Sequence, residues 1–381
     1  MRVVVAPDKF KGSASAAEVA AALAAGVRDV IPSADVACVP MADGGDGTVD
    51  AFLDAGATAR TVRVTGPLGE PIDAVYARDG TTAVAEMAAA SGLVLAGEAR
   101  EPRRATTRGT GELLRDALDG GAERIVLGIG GSATTDGGAG ALAALGARFL
   151  DAGGKELDAT PEALAALASV DLAGLDRRPA GVDLAVACDV DNPLLGPHGA
   201  AAVYGPQKGA SAEDVWFLDG VLARLADALS AATGRDLRDR PGAGAAGGLG
   251  WALATVFGAR LERGVTLVAE VRGLRATMNG AYLCLTGEGK IDDQTLRGKV
   301  VDGVAALARD AGVAAIVAFG GRVDADVEAA LRERGIVCMP ILAAPSSLED
   351  AMHEAVPNLR AAAARVAQLV AVETALFAKR T

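Results

Sequence analysis

The stretch IVLGIGGSATTDGGAGAL at residues 125–142 decides how the rest of the chain is read. Three apolar residues, Ile125, Val126 and Leu127, predict a short buried strand. They run into a loop holding Gly128, Gly130, Gly131, Gly137, Gly138 and Gly140, in which Ser132, Thr134, Thr135 and Asp136 are the only polar side chains. An Ala/Leu-rich helical stretch follows. Glycines let the backbone approach a ligand and expose successive N–H donors, and the start of a helix adds partial positive charge. The loop therefore suits an anion, most simply a phosphate. A tight strand-to-helix turn without a ligand is the plainer alternative.

Outward from that loop the chain alternates between strand-like and helix-like patches. Val3–Val5 reads as a strand stopped by Ala6-Pro7-Asp8, and Ser15 with Glu18 three residues on forms a capping box for a helix over 16–30. A second strand over 36–39 leads through Asp43-Gly44-Gly45-Asp46-Gly47-Thr48 into a short helix, which makes βαβα and implies a parallel sheet. Residues 59–86 change character to short alternating runs broken by Gly and Asp. These predict hairpins and a crossing into a second domain. Strands are then expected over 182–188, 282–286, 314–319 and 336–342, with a Ser211-capped helix to about residue 232 and a last helix over 359–378. The Gly-rich run PGAGAAGGLG at 241–250 continues into apolar residues, so it predicts close packing of a following helix rather than a linker.

With 381 residues the chain exceeds one typical core, and 51% apolar with 23% charged residues describes a folded protein. A formal charge of −12 argues against nucleic acid or an anionic membrane as partner, though not against a small anionic substrate. No apolar run reaches membrane-spanning length, and MRVVVAPDKFKG breaks into charge after three valines, so a first strand and a cytoplasmic protein are expected. Cys38, Cys188, Cys284 and Cys338 lie far apart in apolar runs with no CxxC, and His198 and His353 share no metal-ligand spacing with them. All four cysteines are expected to be buried strand residues.

The polar residues fall where chemistry is expected. In an open parallel sheet ligands bind beyond the carboxyl ends of the strands. Five predicted strands end in such groups: Asp8/Lys9/Lys11, Asp43/Asp46, Ser132/Asp136, Asp189/Asp191/Asn192 and Glu288/Lys290/Asp292. Lysines and N–H donors neutralise phosphates, carboxylates hold Mg²⁺, and one carboxylate takes the proton of an attacking hydroxyl, so the set fits phosphoryl transfer. There is no GxxxxGK[ST], which excludes a P-loop NTPase. Gly128-x-Gly130-x-x-Ala133 with Asp151 fits a loose dinucleotide fingerprint, leaving an NAD-linked hydroxy-acid dehydrogenase open. A binding protein closing on a small anion is the non-enzyme alternative.

Eight blocks carry a closer likeness: APDKFKGSASA (6–16), PMADGGDGT (40–48), ATTRGTGEL (105–113), GIGGSATTDGGAG (128–140), ACDVDNPLLGPHGAA (187–201), YGPQKGA (204–210), PGAGAAGGLG (241–250) and LTGEGKIDDQTLRGK (285–299). In content and order, across almost the whole chain, they resemble the two-domain bacterial glycerate kinases of the type-1 family. Asp46, Thr135 and Lys290 depart mildly from that pattern, where Glu, Asn and Arg are more usual. The resemblance implies an α/β fold in which a Rossmann-like parallel-sheet domain, residues 1–60 plus 280–381, is interrupted by a second α/β domain, residues 61–279, with the active site in the cleft between them. It also implies ATP-dependent, Mg²⁺-assisted phosphorylation of D-glycerate, usually on the 2-hydroxyl, with 3-phosphorylation as the alternative.

On that reading Lys9 and Lys11 neutralise phosphate or the glycerate carboxylate, and Gly130, Gly131, Ser132 and Asp136 cradle phosphate. Asp189 and Asp191 are candidates for general base or Mg²⁺ ligand, Glu288 and Asp292 form a second carboxylate pair, and Lys208 and Lys290 stabilise transferred charge. Asp8, Asp43, Asn192, Gln207 and Gln294 complete the expected substrate and phosphate contacts.

Overall fold

The computed structural model describes residues 1–98 and 100–378. Its strands, in chain order, are β1 (Arg2–Val5), β2 (Asp35–Cys38), β3 (Thr58–Thr65), β4 (Pro71–Asp79), β5 (Thr82–Glu86), β6 (Arg124–Gly128), β7 (Arg148–Leu150), β8 (Glu156–Leu157), β9 (Ser169–Asp171), β10 (Asp183–Ala187), β11 (Arg260–Glu262), β12 (Leu283–Ile291), β13 (Ala315–Val323) and β14 (Ile336–Pro340). They belong to two compact units, Met1–Asp43 with Val265–Thr381, and Gly44–Gly264.

The first unit is built on a five-stranded sheet in the order β14-β13-β12-β1-β2, every pair parallel. Counted within the unit the order is 2-1-3-4-5, the doubly wound arrangement. Val3, Val5, Leu283, Leu285 and Phe319 fill its core, and one wall is helix Ala16–Val30 packed on helix Ala355–Ala378. That first helix starts where its capping box predicts: the Ser15 hydroxyl accepts from Glu18 N and the Glu18 carboxylate from Ser15 N. At Gly26 the packing is so close that a Cβ would stand 2.2 Å from the carbonyl oxygen of Arg360.

The second unit carries a six-stranded sheet, β11-β10-β6-β5-β4-β3. β11, β10, β6 and β5 run parallel, and the predicted hairpins β5-β4-β3 extend it antiparallel. A small antiparallel sheet, β8-β7-β9, stands beside it in the order of pairing. Helix Ala212–Thr233, capped by Ser211, and helix Leu249–Phe257 close the core with Leu222, Leu225, Trp251 and Leu253.

Both divisions fall earlier than the expected residues 60 and 279. Helix Thr48–Leu53 lies on β4 and β5, with Val49 N held by the Glu86 carboxylate at 2.7 Å, so residues from Gly44 belong with the second sheet. At the other end the Val265 side chain lies against Gly303 in helix Val300–Asp310, which ties it to the first unit. The cysteines also divide. Cys284 and Cys338 are buried and Cys188 is half-buried, but Cys38, the last residue of β2, is exposed, in a strand none of whose residues is fully buried. Among the described residues no helix is long and apolar enough to cross a membrane.

Candidate functional site

In a doubly wound sheet the crevice opens where the strand order reverses, here between β1 and β12. The chain beyond β1 stays bound to β12: Ala6 N donates to Leu285 O at 2.7 Å, Asp8 N to Gly287 O at 2.8 Å, and the Thr286 hydroxyl to Ala6 O at 2.8 Å. Met41 N donates to Pro7 O at 2.9 Å and draws the segment leading to Asp43 alongside. Asp8, Asp43 and Glu288 therefore act on one another electrostatically at the switch point.

Their surroundings set their charge. Burial, then the charge of Asp43, raises the Asp8 carboxyl to about 7, against the Lys9 N–H that donates to its Oδ1 at 2.7 Å. Glu288, 6% exposed, is likewise raised to about 7 by burial, with Asp292 and Asp43 adding to the shift. The Thr295 hydroxyl, bonded to Glu288 Oε1, and the Lys299 charge pull it down. Asp292 caps this turn by accepting from Gln294 N at 3.0 Å, and it pairs with Lys290 at 2.8 Å. Carboxyls that titrate near neutrality beside lysines are what a general base for a hydroxyl requires.

The Gly-rich loop is organised differently from the expectation. Asp136 is fully buried; its Oδ2 accepts from Thr107 N and Oγ1, both at 2.7 Å, and from Gly140 N at 3.1 Å, while Oδ1 accepts from Gly138 N at 3.0 Å. The anion at the start of the short helix Ala139–Ala144 is thus the chain's own carboxylate. Lys208, 2% exposed, donates to Thr134 O at 2.6 Å. Gly130 and Gly131 are exposed, and Ser132 is bridged antiparallel to Gly92.

The Gly-rich run at 241–250 packs as predicted, and its partner is this loop. A Cβ on Gly247 would stand 2.2 Å from Thr134 O, and Gly137 N donates to Gly247 O at 2.9 Å.

The dinucleotide reading does not survive this geometry. No helix starts until Ala139, well beyond the fingerprint, and Asp151 follows β7 in the small antiparallel sheet. Its carboxylate closes a turn by accepting from Gly153 N and Lys155 N.

Asp189 and Asp191 are exposed just past β10, with Asp189 Oδ1 accepting from Gly264 N at 3.1 Å. Asn192 is engaged in its own loop, donating to His198 O at 2.8 Å and accepting from Tyr204 OH at 2.6 Å. Gln207 and Gln294 have exposed side chains, and Lys11 is exposed beyond the half-buried Lys9. Among the described residues no group of three or more Asp, Glu, His or Cys side chains is arranged to hold a metal ion. Mg²⁺ asks for less, one or two carboxylates completed by water and substrate phosphates, and the exposed oxygen donors of Asp189 and Asp191 fit that demand.

A profile of the glycerate kinase family matches residues 3–371. The chain belongs to the glycerate kinase family. It is 46% identical to a glycerate kinase of Bacillus subtilis (strain 168) over 99% of this chain and 100% of the relative. With the glycerate 2-kinase of Escherichia coli (strain K12) it shares 43% identity over 98% of each chain. A crystal structure from Salmonella typhimurium LT2, assigned to glycerate kinase 2, superposes with a TM-score of 0.87 at 43% identity, covering 98% of this chain and 99% of the other. The family makes the chain a kinase and agrees with its mixed α/β fold on parallel sheets.

Thr295, Lys299 and Thr107 are the partners that residue types alone did not single out. Thr295 has a local signal, three residues after Asp292 in a turn, whereas Thr107 reaches Asp136 across 29 residues and has none.

Proposed function

We propose that this chain transfers the γ-phosphoryl group of ATP to the 2-hydroxyl of D-glycerate, giving 2-phosphoglycerate and ADP. The name of the E. coli relative, matched over nearly its full length, supports the 2-position. The observation that carries the chemistry is the Asp8–Asp43–Glu288 cluster at the switch point, with two carboxyls near 7.

In this reading Asp8 is the general base. Half-buried and poised near neutrality, it takes the hydroxyl proton, while Asp43 and Glu288 keep its proton affinity high. Lys9 and Lys11 face the anionic groups of glycerate and nucleotide. The exposed amides of Gly130 and Gly131 hold phosphate, with Ser132 completing the turn. Asp189 and Asp191 would hold Mg²⁺, which when bound neutralises charge on the β- and γ-phosphates. Lys290, paired with Asp292, keeps the turn after β12 in place.

The test is ADP release with ATP, Mg²⁺ and D-glycerate, run against L-glycerate, no acceptor, and hydroxypyruvate with NADH. ADP release that depends on D-glycerate is expected. NADH oxidation without ADP release, or silence in every arm, contradicts the proposal.

A further inference from the structure

Lys208 is a cation that the mechanism above does not use, and its placement assigns it another task. It is buried in the second unit with its ammonium on the carbonyl of Thr134, and burial lowers its pKa to about 7 against the opposing charge of Asp136. Asp136 in turn gathers four donors from two segments: the amide and hydroxyl of Thr107, and the amides of Gly138 and Gly140. The Thr107 hydroxyl also accepts from Ala141 N at 2.9 Å. Residues 134–141 are thus fixed by Lys208 at Thr134 and by Thr107 at Asp136 and Ala141, and the exposed glycines 130 and 131 lie just before that fixed span. A buried amine held by a backbone carbonyl, and charged when protonated, supplies direction to the loop, since a bond made in a low-dielectric site is costly to break.

We propose that Lys208, Asp136 and Thr107 are positioning residues that hold the Gly130–Gly131 amides in place for a nucleotide phosphate, and that Lys208 does not itself touch the nucleotide. The inference rests on the proposed function, because it takes that turn as the phosphate site.

The experiment compares wild-type protein with Lys208→Met, Thr107→Val, Thr107→Ser and the Lys208→Met/Thr107→Val double variant. ADP affinity is read by calorimetry, and amide hydrogen exchange is read across residues 128–141. Expected are faster exchange at 130–135 and ADP binding weakened about tenfold or more in Lys208→Met and in Thr107→Val, the scale of losing charge-assisted bonds. Thr107→Ser should return both readings toward wild type. The double variant should lose less than the product of the single losses, because both changes release one loop. Unchanged ADP affinity overturns the proposal even where exchange quickens. Weaker binding in Lys208→Met alone, with exchange unaltered, overturns it in favour of direct contact. If Lys208→Met does not fold, Thr107→Val decides: lowered affinity supports positioning and unchanged affinity refutes it. Wild-type protein with no affinity for ADP and no D-glycerate-dependent ADP release sinks the proposed function, and this inference with it. An active wild type with insensitive variants sinks this inference alone.

Discussion

The amide of Asp8 donates to the carbonyl of Gly287 at 2.8 Å, and that bond sets the Asp8 carboxyl beside Glu288, the next residue of β12. Pairing therefore continues past the end of β1 into the loop that carries the chemistry. Two carboxyls that titrate near 7 are a consequence, since burial and neighbouring negative charge both favour the protonated form.

The acidic limb of kcat/KM should accordingly have its midpoint near 7, because the base works only when ionised. Asp43 raises both carboxyls, so Asp43→Asn should move the limb to lower pH. A pH profile of the two proteins checks this, and a limb that stays in place contradicts the electrostatic origin.

Stability should run the other way. Asp8 rises from 3.8 to about 7 on folding, so between those values the folded chain holds a proton that the unfolded chain has released. Glu288, raised from 4.5 to about 7, behaves alike. Their contribution is fully present below the unfolded values and is lost as pH rises through about 7. In wild-type protein Tm should fall between about pH 5.5 and about pH 8, and Asp8→Asn should flatten that slope. The same variant should lose about 10²–10⁴ in kcat, the usual worth of a general base. A variant with a wild-type slope and wild-type turnover would remove Asp8 from both roles.

Thr295 offers a finer test. Its hydroxyl bonds Glu288 Oε1 and holds that carboxyl below where burial alone would take it. Thr295→Val should raise Glu288 further, keep it neutral to higher pH and so weaken its charge on Asp8, which moves the acidic limb to lower pH, and Thr295→Ser should restore it. Identical profiles for all three proteins would show that Glu288 does not report on the reacting group.

Gly26 tests the packing of the first unit. In a solvent-exposed helix Gly→Ala stabilises by roughly 0.5–1 kcal/mol. Here the added methyl meets the Arg360 carbonyl at 2.2 Å and Ala363 Cβ at 2.8 Å. Overpacking should win, with a net loss of about 1–3 kcal/mol in urea unfolding. A stabilised variant would mean that the two helices separate without cost.

Much of this was legible in the sequence because its signals are local. Ser15 with Glu18, and Ser211, mark helix starts through bonds spanning three residues. The polar strand ends marked the switch point, where Asp8, Asp43 and Glu288 meet. What escaped depends on partners distant in the chain. Asp136 is bonded by Thr107, 29 residues away, and Lys208 by the carbonyl of Thr134, 74 residues away, so neither partner shows in the local sequence. The domain divisions moved for the same reason, since helix Thr48–Leu53 is assigned by the strands it covers and not by its own residues. Cys38 shows the limit of composition: Cys38 and Cys338 both lie in apolar runs on edge strands, yet only Cys338 is buried.

The most direct measurement is the identity of the product formed from ATP and D-glycerate, read by adding enolase with and without phosphoglycerate mutase. The account predicts a signal with enolase alone, since 2-phosphoglycerate enters that enzyme directly. A signal that appears only when the mutase is added would mean phosphorylation at the 3-hydroxyl and contradict it.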